Sequence, residues 1–247
     1  MKIKTISFNI RYRDDENGHT IKERSVRLKS LLDRENADII GLQECTPEWL
    51  TYLQRDYSDK YEIFNVWRIG YESTPIMVKK DAFDILDKGC FWLSDTPETP
   101  SNGWDTIGCN RICTWVKLKE KSTQKEFLFL NTHFGFGDDG QCKSVELINR
   151  FSNGFKGMPI VLTGDFNMEK SFPAYKLATS YFIDANESTK KDNSVTFHGY
   201  FLPENTPKLI DYIFIKSCLA KDYDILNDEF DGKYPSDHFG IKSTIIL

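Results

Sequence analysis

The 247-residue sequence predicts an α/β fold in which packed β-sheets are covered by helices, in a single domain spanning residues 1–247. Three observations lead to this prediction. Hydrophobic residues make up 40% of the chain, which is sufficient for a large core. Segments with the period of a strand alternate with segments with the period of a helix, and the strands outnumber the helices. No linker, block of like charge or short repeat divides the sequence.

The first sixty residues predict two strand–helix pairs. Residues 2–9 alternate between apolar and polar, as a strand does. Residues 21–36 predict an amphipathic helix, whose buried side is expected to carry Ile21, Val26, Leu28, Leu31 and Leu32. Residues 37–42 are short, apolar and β-branched, which is typical of a buried strand. Thr46, followed by proline, predicts the N-cap of a helix over 47–57.

The remainder of the chain predicts mostly strands. The predicted strands are 74–78, 83–93, 111–119, 126–132, 159–163, 209–215 and 239–246, with one helix over 144–151. Residues 94–104 are rich in Pro, Ser and Asn and predict a long loop, which in a compact domain is often functional.

Composition and charge exclude several classes of protein. The net charge is −5, so the chain has no overall attraction for a phosphate backbone, although a local basic patch or a metal ion could still bind one. No apolar run approaches the ~18 residues of a membrane span, and the N-terminus has no signal-peptide pattern. We therefore expect a reduced, cytoplasmic, monomeric protein. Cys109 and Cys113 match no zinc pattern and are expected to be core cysteines.

Strong polar residues lie at the ends of the predicted strands. They are Asn9, Gln43, Glu44, His133, Asp165, Asn167, Asp211, Asp237 and His238. Any one of them is most simply a turn former or a hydrogen-bonded core residue. As a set, they can converge only at one edge of a sheet core. An ionised carboxylate such as Glu44 at the mouth of a buried strand also needs a partner or a metal ion.

The chemistry of this set favours a metal-assisted reaction at phosphorus. Carboxylates such as Glu44 and Asp237 suit Mg²⁺ or Mn²⁺, and no Cys/His cluster supports zinc. Asp165 could orient or deprotonate a water molecule, while Asp211 could pair with His238 and fix its tautomer. The sequence contains no G-x-x-x-x-G-K-[ST] loop and no G-x-S-x-G elbow, so it does not indicate a P-loop NTPase or that class of serine hydrolase.

Six short motifs occur in a recognisable order along the chain. They are S-F-N at 7–9, L-Q-E at 42–44, N-T-H at 131–133, G-D-F-N at 164–167, I-D-Y-I at 210–213 and S-D-H at 236–238. In this order and spacing the chain resembles the endonuclease/exonuclease/phosphatase superfamily. The resemblance implies a four-layer sandwich of two packed, mixed β-sheets flanked by helices, with the active site at one end.

The resemblance also implies roles for individual residues. Glu44 corresponds to the principal Mg²⁺ or Mn²⁺ ligand, with Asn9 and Asp237 as further ligands. Asp165 corresponds to the residue that positions or activates the attacking water, and Asn167 helps to hold the phosphate or that water. The implied donors to the phosphate are His133 and His238, with Asp211 orienting His238. Whether Asp165 or His238 is the base stays open.

Three further positions have two interpretations each. Arg111 is similar to an arginine that contacts the phosphate in relatives, or it is an ordinary arginine at the end of a strand. Glu72 lies where relatives carry a residue that lines the site, or it has no role there. His198 either lines the substrate pocket or caps a turn.

The substrate is less well indicated. We favour a phosphodiesterase or nuclease acting on a nucleotide-like substrate or single-stranded nucleic acid. The alternatives are a sugar- or inositol-phosphate phosphatase and a catalytically silent interaction module. Asp138 and Asp139 are expected to add negative charge near His133, which argues against tight binding of duplex DNA. Four aromatic residues could stack on a base, although loop packing is the preferred interpretation; they are Trp92, Trp104, Phe134 and Phe136.

Overall fold

A computed structural model describes residues 1–105, 108–190 and 195–247. The strands, in chain order, are β1 (Lys2–Asn9), β2 (Ile39–Gln43), β3 (Tyr61–Phe64), β4 (Ile76–Lys79), β5 (Phe83–Trp92), β6 (Ile112–Glu120), β7 (Glu126–His133), β8 (Ile160–Asp165), β9 (Ile183–Asp184), β10 (Asp211–Lys216), β11 (Leu219–Ala220), β12 (Asp224–Leu226) and β13 (Gly240–Ile246). The helices are α1 (Ile21–Glu35), α2 (Pro47–Tyr57), α3 (Asp138–Ser152), α4 (Pro173–Tyr181) and α5 (Ala185–Thr189).

The strands form two mixed sheets. The first has the order β11-β13-β1-β2-β4-β3, with β12 also paired to β13, and the second has the order β5-β6-β7-β8-β10-β9. Each sheet contains one parallel pair, β1/β2 in the first and β7/β8 in the second, and the other pairings are antiparallel.

Three apolar clusters hold four layers together. The inner cluster joins the facing sides of the two sheets, with Ile3 and Ile39 from the first sheet and Phe129 and Ile213 from the second. A second cluster packs α1 and α2 on the outer face of the first sheet, and a third packs α3 and α4 on the outer face of the second. The predicted fold class, a four-layer sandwich of mixed sheets flanked by helices, is therefore confirmed.

Alternation along the strands produces this layering. In β7, Phe127 and Phe129 face the inner cluster, whereas Leu128 and Leu130 face the helices. Both sides are apolar because β7 is covered on both faces, as expected for a strand in the middle of a sandwich. In β6, Val116 and Cys113 divide between the two faces in the same way.

Helix α1 corrects one detail of the sequence prediction. Val26 was expected on the buried side, but it is 62% exposed. The buried side instead carries Arg24, which is fully buried and donates hydrogen bonds to the carbonyl oxygens of His19, Ile10, Arg11 and Arg13. A buried guanidinium with this many acceptors holds the chain that follows β1 in place. The helix begins with a capping box between Thr20 and Glu23.

Of the other two predicted helices, one begins as predicted and one begins earlier. Helix α2 begins as predicted, with Thr46 accepting a hydrogen bond from the backbone N–H of Trp49 and proline at the first position. Helix α3 begins at Asp138, six residues before the predicted start, because its N-cap, Gly137, offers no side-chain oxygen to mark that start. The sequence pattern did not predict β3, β9, β11, β12, α4 or α5.

The described residues contain no helix of the length and apolarity needed to cross a bilayer. All six cysteines are free thiols. Cys113 is fully buried, as predicted, whereas Cys109 is only half-buried. Cys109 is therefore not a core cysteine, because it precedes β6 instead of lying within it.

Candidate active site

A cavity of about 670 Å³ opens at one end of the sandwich, where the carboxyl ends of both parallel strand pairs meet. Several of the predicted residues line it, namely Glu44, Glu72, Arg111, His133, Asp165, Asn167, Asp237 and His238. Two more predicted residues, Asn9 and Asp211, contact these from behind. The structure thus brings together every predicted catalytic, metal-binding and substrate-binding side chain except His198. Gln43, the other strand-end residue that does not line the cavity, donates to Ser7 Oγ and Asn131 Oδ1.

Strand register brings together three residues of the second sheet. His133 is paired with Asp165 across the parallel strands β7 and β8, and Asp165 is paired with Asp211 across β8 and β10. The three residues therefore lie side by side at the end of three neighbouring strands. All three are buried.

Asn9 links this row to the first sheet. It lies at the end of β1, and its side-chain amide donates to Glu44 Oε1 at 3.1 Å and to Asp165 Oδ2 at 2.9 Å. Glu44 follows directly after β2, and its other oxygen accepts from the backbone N–H of Tyr12 at 2.8 Å. A single amide thus holds two carboxylates from opposite sheets within hydrogen-bond reach.

The segment before β13 supplies the last two residues. Ser236 Oγ donates to the backbone oxygen of Asn9 at 2.7 Å, which fixes this segment against β1. Asp237 then lies 3.5 Å from Arg11 Nη1, and His238 Nδ1 lies 2.9 Å from Asp211 Oδ2. His238 Nε2 points towards Asp165, at 3.7 Å from Oδ2.

Asp165 Oδ2 is the point on which these groups converge. His133 Nε2 lies 3.5 Å from it, in addition to the amide of Asn9 and the imidazole of His238. The other oxygen of Asp165 accepts from the backbone N–H of Asn167 at 2.9 Å. This carboxylate is therefore held rigidly while facing two imidazoles.

Three residues around the cavity have the left-handed backbone conformation that residues other than glycine rarely adopt. They are Arg11 (φ 63°), Glu44 (φ 61°) and Asn167 (φ 48°). Each such residue costs of order 1 kcal/mol and persists where the surrounding structure imposes it. Two of the three, Glu44 and Asn167, are also predicted site residues.

Burial and charge shift the proton affinities of Asp165 and His238. Burial, followed by the charge of Asp211, raises the pKa of Asp165 to about 7. Burial alone would lower the pKa of His238, but the charge and hydrogen bond of Asp211, together with Asp165 and Asp237, raise it to about 10. A carboxyl group with a pKa near neutrality beside a basic imidazole suits proton transfer at physiological pH.

His133 has the opposite character. Burial, followed by the charges of Arg111 and Arg68, lowers its pKa well below 6.5, so the ring is neutral. Arg111 Nη1 lies 3.2 Å from Nδ1 of His133, and a guanidinium can only donate to it. The side-chain amide of Asn167 lies 3.0 Å from Nε2.

Glu72 connects two arginines at the rim of this part of the cavity. Its Oε1 lies 2.7 Å from Arg68 Nη2, 3.8 Å from Arg111 Nη1 and 3.9 Å from His133 Nδ1. Arg111 is buried and lines the cavity, so it is not an ordinary surface arginine at the end of a strand.

The donor set around Glu44 fits a divalent metal ion. Burial, followed by the neighbouring carboxylates of Asp237 and Glu72, raises the pKa of Glu44, which shows that negative charge accumulates here. A hard cation would neutralise that charge, and carboxylate and amide oxygens are the ligands that Mg²⁺ and Mn²⁺ prefer.

A second group of residues has ligand atoms close together, but its geometry suits a proton better than a metal. Ligand atoms of Asp165, Asp211 and His238 lie within 4.8 Å of one another. Two of the three, Asp211 and His238, are already joined by a 2.9 Å hydrogen bond. Such carboxylate–imidazole pairs orient and charge the ring.

His198 is the predicted substrate-binding residue that the structure does not bring into the cavity. It is fully buried, its ring stacks on Phe239 at 4.1 Å, and its Nδ1 accepts from the backbone N–H of Tyr200 at 3.1 Å. It therefore caps a short 3₁₀ turn, which was the alternative interpretation. Its backbone N–H donates to the carbonyl oxygen of Asp237 at 3.0 Å.

The acidic residues expected near His133 do not line the cavity, whereas packing, the preferred interpretation of the four aromatic residues, holds for three of them. Asp138 and Asp139 occupy the first turn of α3, where acids favour the helix dipole, and neither lines the cavity. The loop over 94–104 does not line it either, and Trp104 packs instead against α3. Of the four aromatic residues, Trp92 and Phe134 are buried in the core, and only Phe136 reaches the cavity.

Sequence analysis missed several residues that line the cavity. They are Arg11, Tyr12, Arg68, Cys109, Glu169, Phe172, Phe197, Lys208 and Ile210. Most lie in loops, where neither a strand period nor a helix period marks them. Arg11 and Tyr12 lie just beyond the S-F-N motif, Ile210 opens the I-D-Y-I motif and Phe197 precedes His198. Proximity to these positions was the available indication.

The chain matches the model of the Endonuclease/Exonuclease/phosphatase family over residues 6–238. A protein of that family from Bacteroides thetaiotaomicron, whose structure is solved, is 29% identical, with a TM-score of 0.92 over 100% of this chain and 98% of the other. The mannosyl-6-phosphatase of the same species is 30% identical, with a TM-score of 0.91 over 99% of this chain and 100% of the other.

A more distant structure shares the fold. D. rerio TDP2, solved in complex with a single-stranded DNA product, is 19% identical, with a TM-score of 0.83 over 100% of this chain and 99% of the other. At this identity the likeness concerns the architecture alone.

Proposed function

The chain belongs to the endonuclease/exonuclease/phosphatase family, a family of phosphoesterases, and on that premise we propose that it hydrolyses a phosphate ester by direct attack of water with the help of a divalent metal ion. One observation carries the proposal. Asp165 Oδ2 lies within 4 Å of His133, His238 and Asn9, and Asn9 in turn contacts Glu44. Groups for proton transfer, phosphate binding and metal binding therefore share one small volume.

Asp165 and His238 are the groups that handle protons. Water entering beside Asp165 Oδ2 would meet a carboxylate that Asn9 and the N–H of Asn167 hold in place. Since its pKa is raised to about 7, Asp165 can take up a proton from water more readily than an exposed aspartate. His238, kept positively charged by Asp211, faces the same point and stabilises developing negative charge.

Arg111, His133 and Asn167 supply donors for the phosphoryl oxygens. Arg111 has further N–H groups beyond the one that faces His133. His133 Nε2 faces the same volume, at 3.5 Å from Asp165 Oδ2. These fixed donors favour the transition state, in which charge builds up on the phosphoryl oxygens.

Glu44, with Asp237 and Asn9 beside it, would hold Mg²⁺ or Mn²⁺. When bound, the ion would polarise the phosphoryl group as a Lewis acid. Asn9 keeps Glu44 in place from the first sheet, while Arg11 approaches Asp237 from the loop after β1.

The substrate that we propose first is a small phosphomonoester, such as a sugar phosphate. The cavity of about 670 Å³ has the size of a small-molecule site. A mannosyl-6-phosphatase is among the relatives that match this chain over nearly its full length. These two observations change the order of preference reached from the sequence, which put a phosphodiester first.

A phosphodiester of nucleotide type is the second candidate, and two aromatic residues at the rim favour it. Tyr12 and Phe136 line the cavity and are 40% and 42% exposed, so each offers a face on which a base could stack.

The test is a substrate panel measured with the purified protein in Mg²⁺, in Mn²⁺ and in excess EDTA. It contains mannose 6-phosphate, glucose 6-phosphate, p-nitrophenyl phosphate, bis-p-nitrophenyl phosphate and a single-stranded oligonucleotide. We expect metal-dependent phosphate release from the monoesters, and an Asp165→Asn loss of about 10²-fold or more in kcat. Asp228→Asn, which alters an exposed ion pair far from the cavity, is the matched control. Full activity in EDTA or a silent panel would reject the proposal.

A further inference from the structure

One part of the cavity is lined by residues that have no role in the proposed cleavage of the P–O bond. It is formed by Phe172 and Phe197, which are half-buried, and by the charged side chains of Glu169 and Lys208. We call these four residues the ring subsite. Sequence analysis singled out none of them.

We propose that the ring subsite binds the alcohol portion of the substrate, and that this portion is a neutral polyhydroxylated ring of hexose size. The inference rests on the proposed hydrolysis of a phosphomonoester, and it assigns residues of this chain to the choice of substrate.

The ring subsite is fixed relative to the reacting groups. The ring of Phe197 contacts that of His238 edge-on, with centroids 5.1 Å apart. Phe197 and Lys208 exchange two backbone hydrogen bonds of 2.9 Å, so Lys208 has a defined position beside His238. A ligand that touches the ring subsite is therefore adjacent to the residues that would act on its phosphate.

A second chain segment completes the ring subsite from the side of Asp165. Glu169 lies two residues beyond Asn167, and its carbonyl oxygen accepts from the N–H of Phe172 at 2.9 Å in a tight turn. Glu169 Oε1 lies 3.9 Å from Lys208 Nζ, so the two segments meet through opposite charges. Substitution of either Glu169 or Lys208 should therefore affect ligand binding at the same place in the cavity.

The chemistry of the ring subsite matches a sugar ring. A sugar hydroxyl both donates and accepts, so adjacent hydroxyls can accept from an ammonium and donate to a carboxylate that lie side by side. The aromatic rings of Phe172 and Phe197 offer apolar surface to the C–H face of a pyranose. The charges of Glu169 and Lys208 cancel, which suits a ligand part that carries no charge of its own.

The ion pair between Glu169 and Lys208 contributes little to the stability of the fold. The side chains of Lys208 and Glu169 are 45% and 43% exposed, and pairs this exposed contribute little to stability. Substitutions at these positions should therefore leave the protein folded, so that changes in kinetics can be interpreted directly.

The experiment compares two monoesters that differ only beyond the phosphate. Steady-state kinetics with Mg²⁺ are measured on mannose 6-phosphate and on p-nitrophenyl phosphate for the wild type, Glu169→Gln and Lys208→Met. The matched controls are Glu187→Gln and Lys170→Met, which break the neighbouring ion pair of Lys170 and Glu187 outside the cavity.

We expect each ring-subsite variant to raise KM for mannose 6-phosphate about tenfold, with kcat within threefold, because hydrogen bonds to the ground state and the transition state are lost alike. KM for p-nitrophenyl phosphate should change less than threefold, and the controls should change neither value. Equal changes on both substrates, no change on either, or a wild type that cleaves p-nitrophenyl phosphate but no hexose phosphate would overturn the inference. A wild type inactive on every ester would instead reject the proposed function itself.

Discussion

His238 Nδ1 and Asp211 Oδ2 lie 2.9 Å apart, with His238 lining the cavity and Asp211 buried behind it. The contact comes from two different sheets, since Asp211 opens β10 of the second sheet and His238 precedes β13 of the first. The hydrogen bond therefore stabilises the positive charge of the imidazole and also joins the two sheets.

Replacing Asp211 with Asn should lower kcat by about 10- to 100-fold with little change in KM, because the amide can still orient the ring but no longer compensates its charge. The pKa of His238 should fall from its raised value. The checks are steady-state kinetics across pH 6 to 9 and the imidazole resonances in NMR spectra. A variant with wild-type kcat would remove Asp211 from the list of positioning residues.

Glu44 should limit stability when no metal ion is bound. Because burial and the charges of Asp237 and Glu72 disfavour its ionised form, Glu44→Gln should raise the thermal midpoint of the metal-free protein by about 2–4 °C. The same change should abolish both activity and the stabilisation produced by Mn²⁺. Differential scanning fluorimetry with EDTA and with a Mn²⁺ titration measures both effects.

The exposed residue Glu48, in the first turn of α2, provides the control for this experiment. Glu48→Gln should keep the Mn²⁺ response. A Glu44→Gln protein that still responds to Mn²⁺ like the wild type would place the metal ion elsewhere.

His19 should make stability depend on pH. Burial, followed by the charges of Arg27, Lys233 and Arg24, lowers its pKa from 6.5 to about 4. The unfolded chain therefore binds this proton before the folded protein does as the pH falls. The contribution of His19 to the unfolding free energy is fully present above about pH 6.5 and is lost as the pH approaches 4.

His19→Phe preserves an aromatic ring against Tyr200, whose centroid lies 3.9 Å from that of His19, and removes the titration. Between pH 7 and 4.5 the unfolding free energy of the wild type should fall by about 1 kcal/mol more than that of the variant, a modest difference because His19 is only partly buried. Urea unfolding at four pH values tests this, and parallel curves for the two proteins would contradict it.

The reacting residues were predictable from sequence because strand geometry determines where they lie. Glu44, His133 and Asp165 each end or directly follow an apolar strand, and the register of parallel pairs brings such positions together. The six motifs then indicated which polar residues to combine.

The ring subsite was not predictable in this way. Phe172 and Phe197 lie in irregular segments, and a partly exposed aromatic residue in a loop has no periodic signature. His198 was ambiguous for a related reason, since a histidine next to a glycine suits a turn cap as well as a pocket. Only the packing of His198 on Phe239 decides between these interpretations.

Asn131 should couple the stability of the two sheets. Its amide donates to the carbonyl oxygens of Leu42 at 2.7 Å and Pro75 at 3.1 Å, both in the first sheet or next to it. Its oxygen accepts from Gln43 Nε2 at 2.7 Å and from Thr163 Oγ1 at 3.0 Å. Three of these four bonds, those with Leu42, Pro75 and Gln43, join the two sheets directly beneath Glu44 and His133, whereas Thr163 lies in the same sheet as Asn131.

Asn131→Leu should lower the unfolding free energy by about 3 kcal/mol, because several buried polar groups lose their partners at once. It should also lower kcat, since Glu44 and His133 lie one or two residues from these bonds. Asn153→Leu, at an asparagine after α3 that is exposed to solvent, should change neither. We expect urea unfolding to show a single transition, as for one domain; two transitions, or an Asn131→Leu protein as stable as the wild type, would show that the sheets do not depend on this residue.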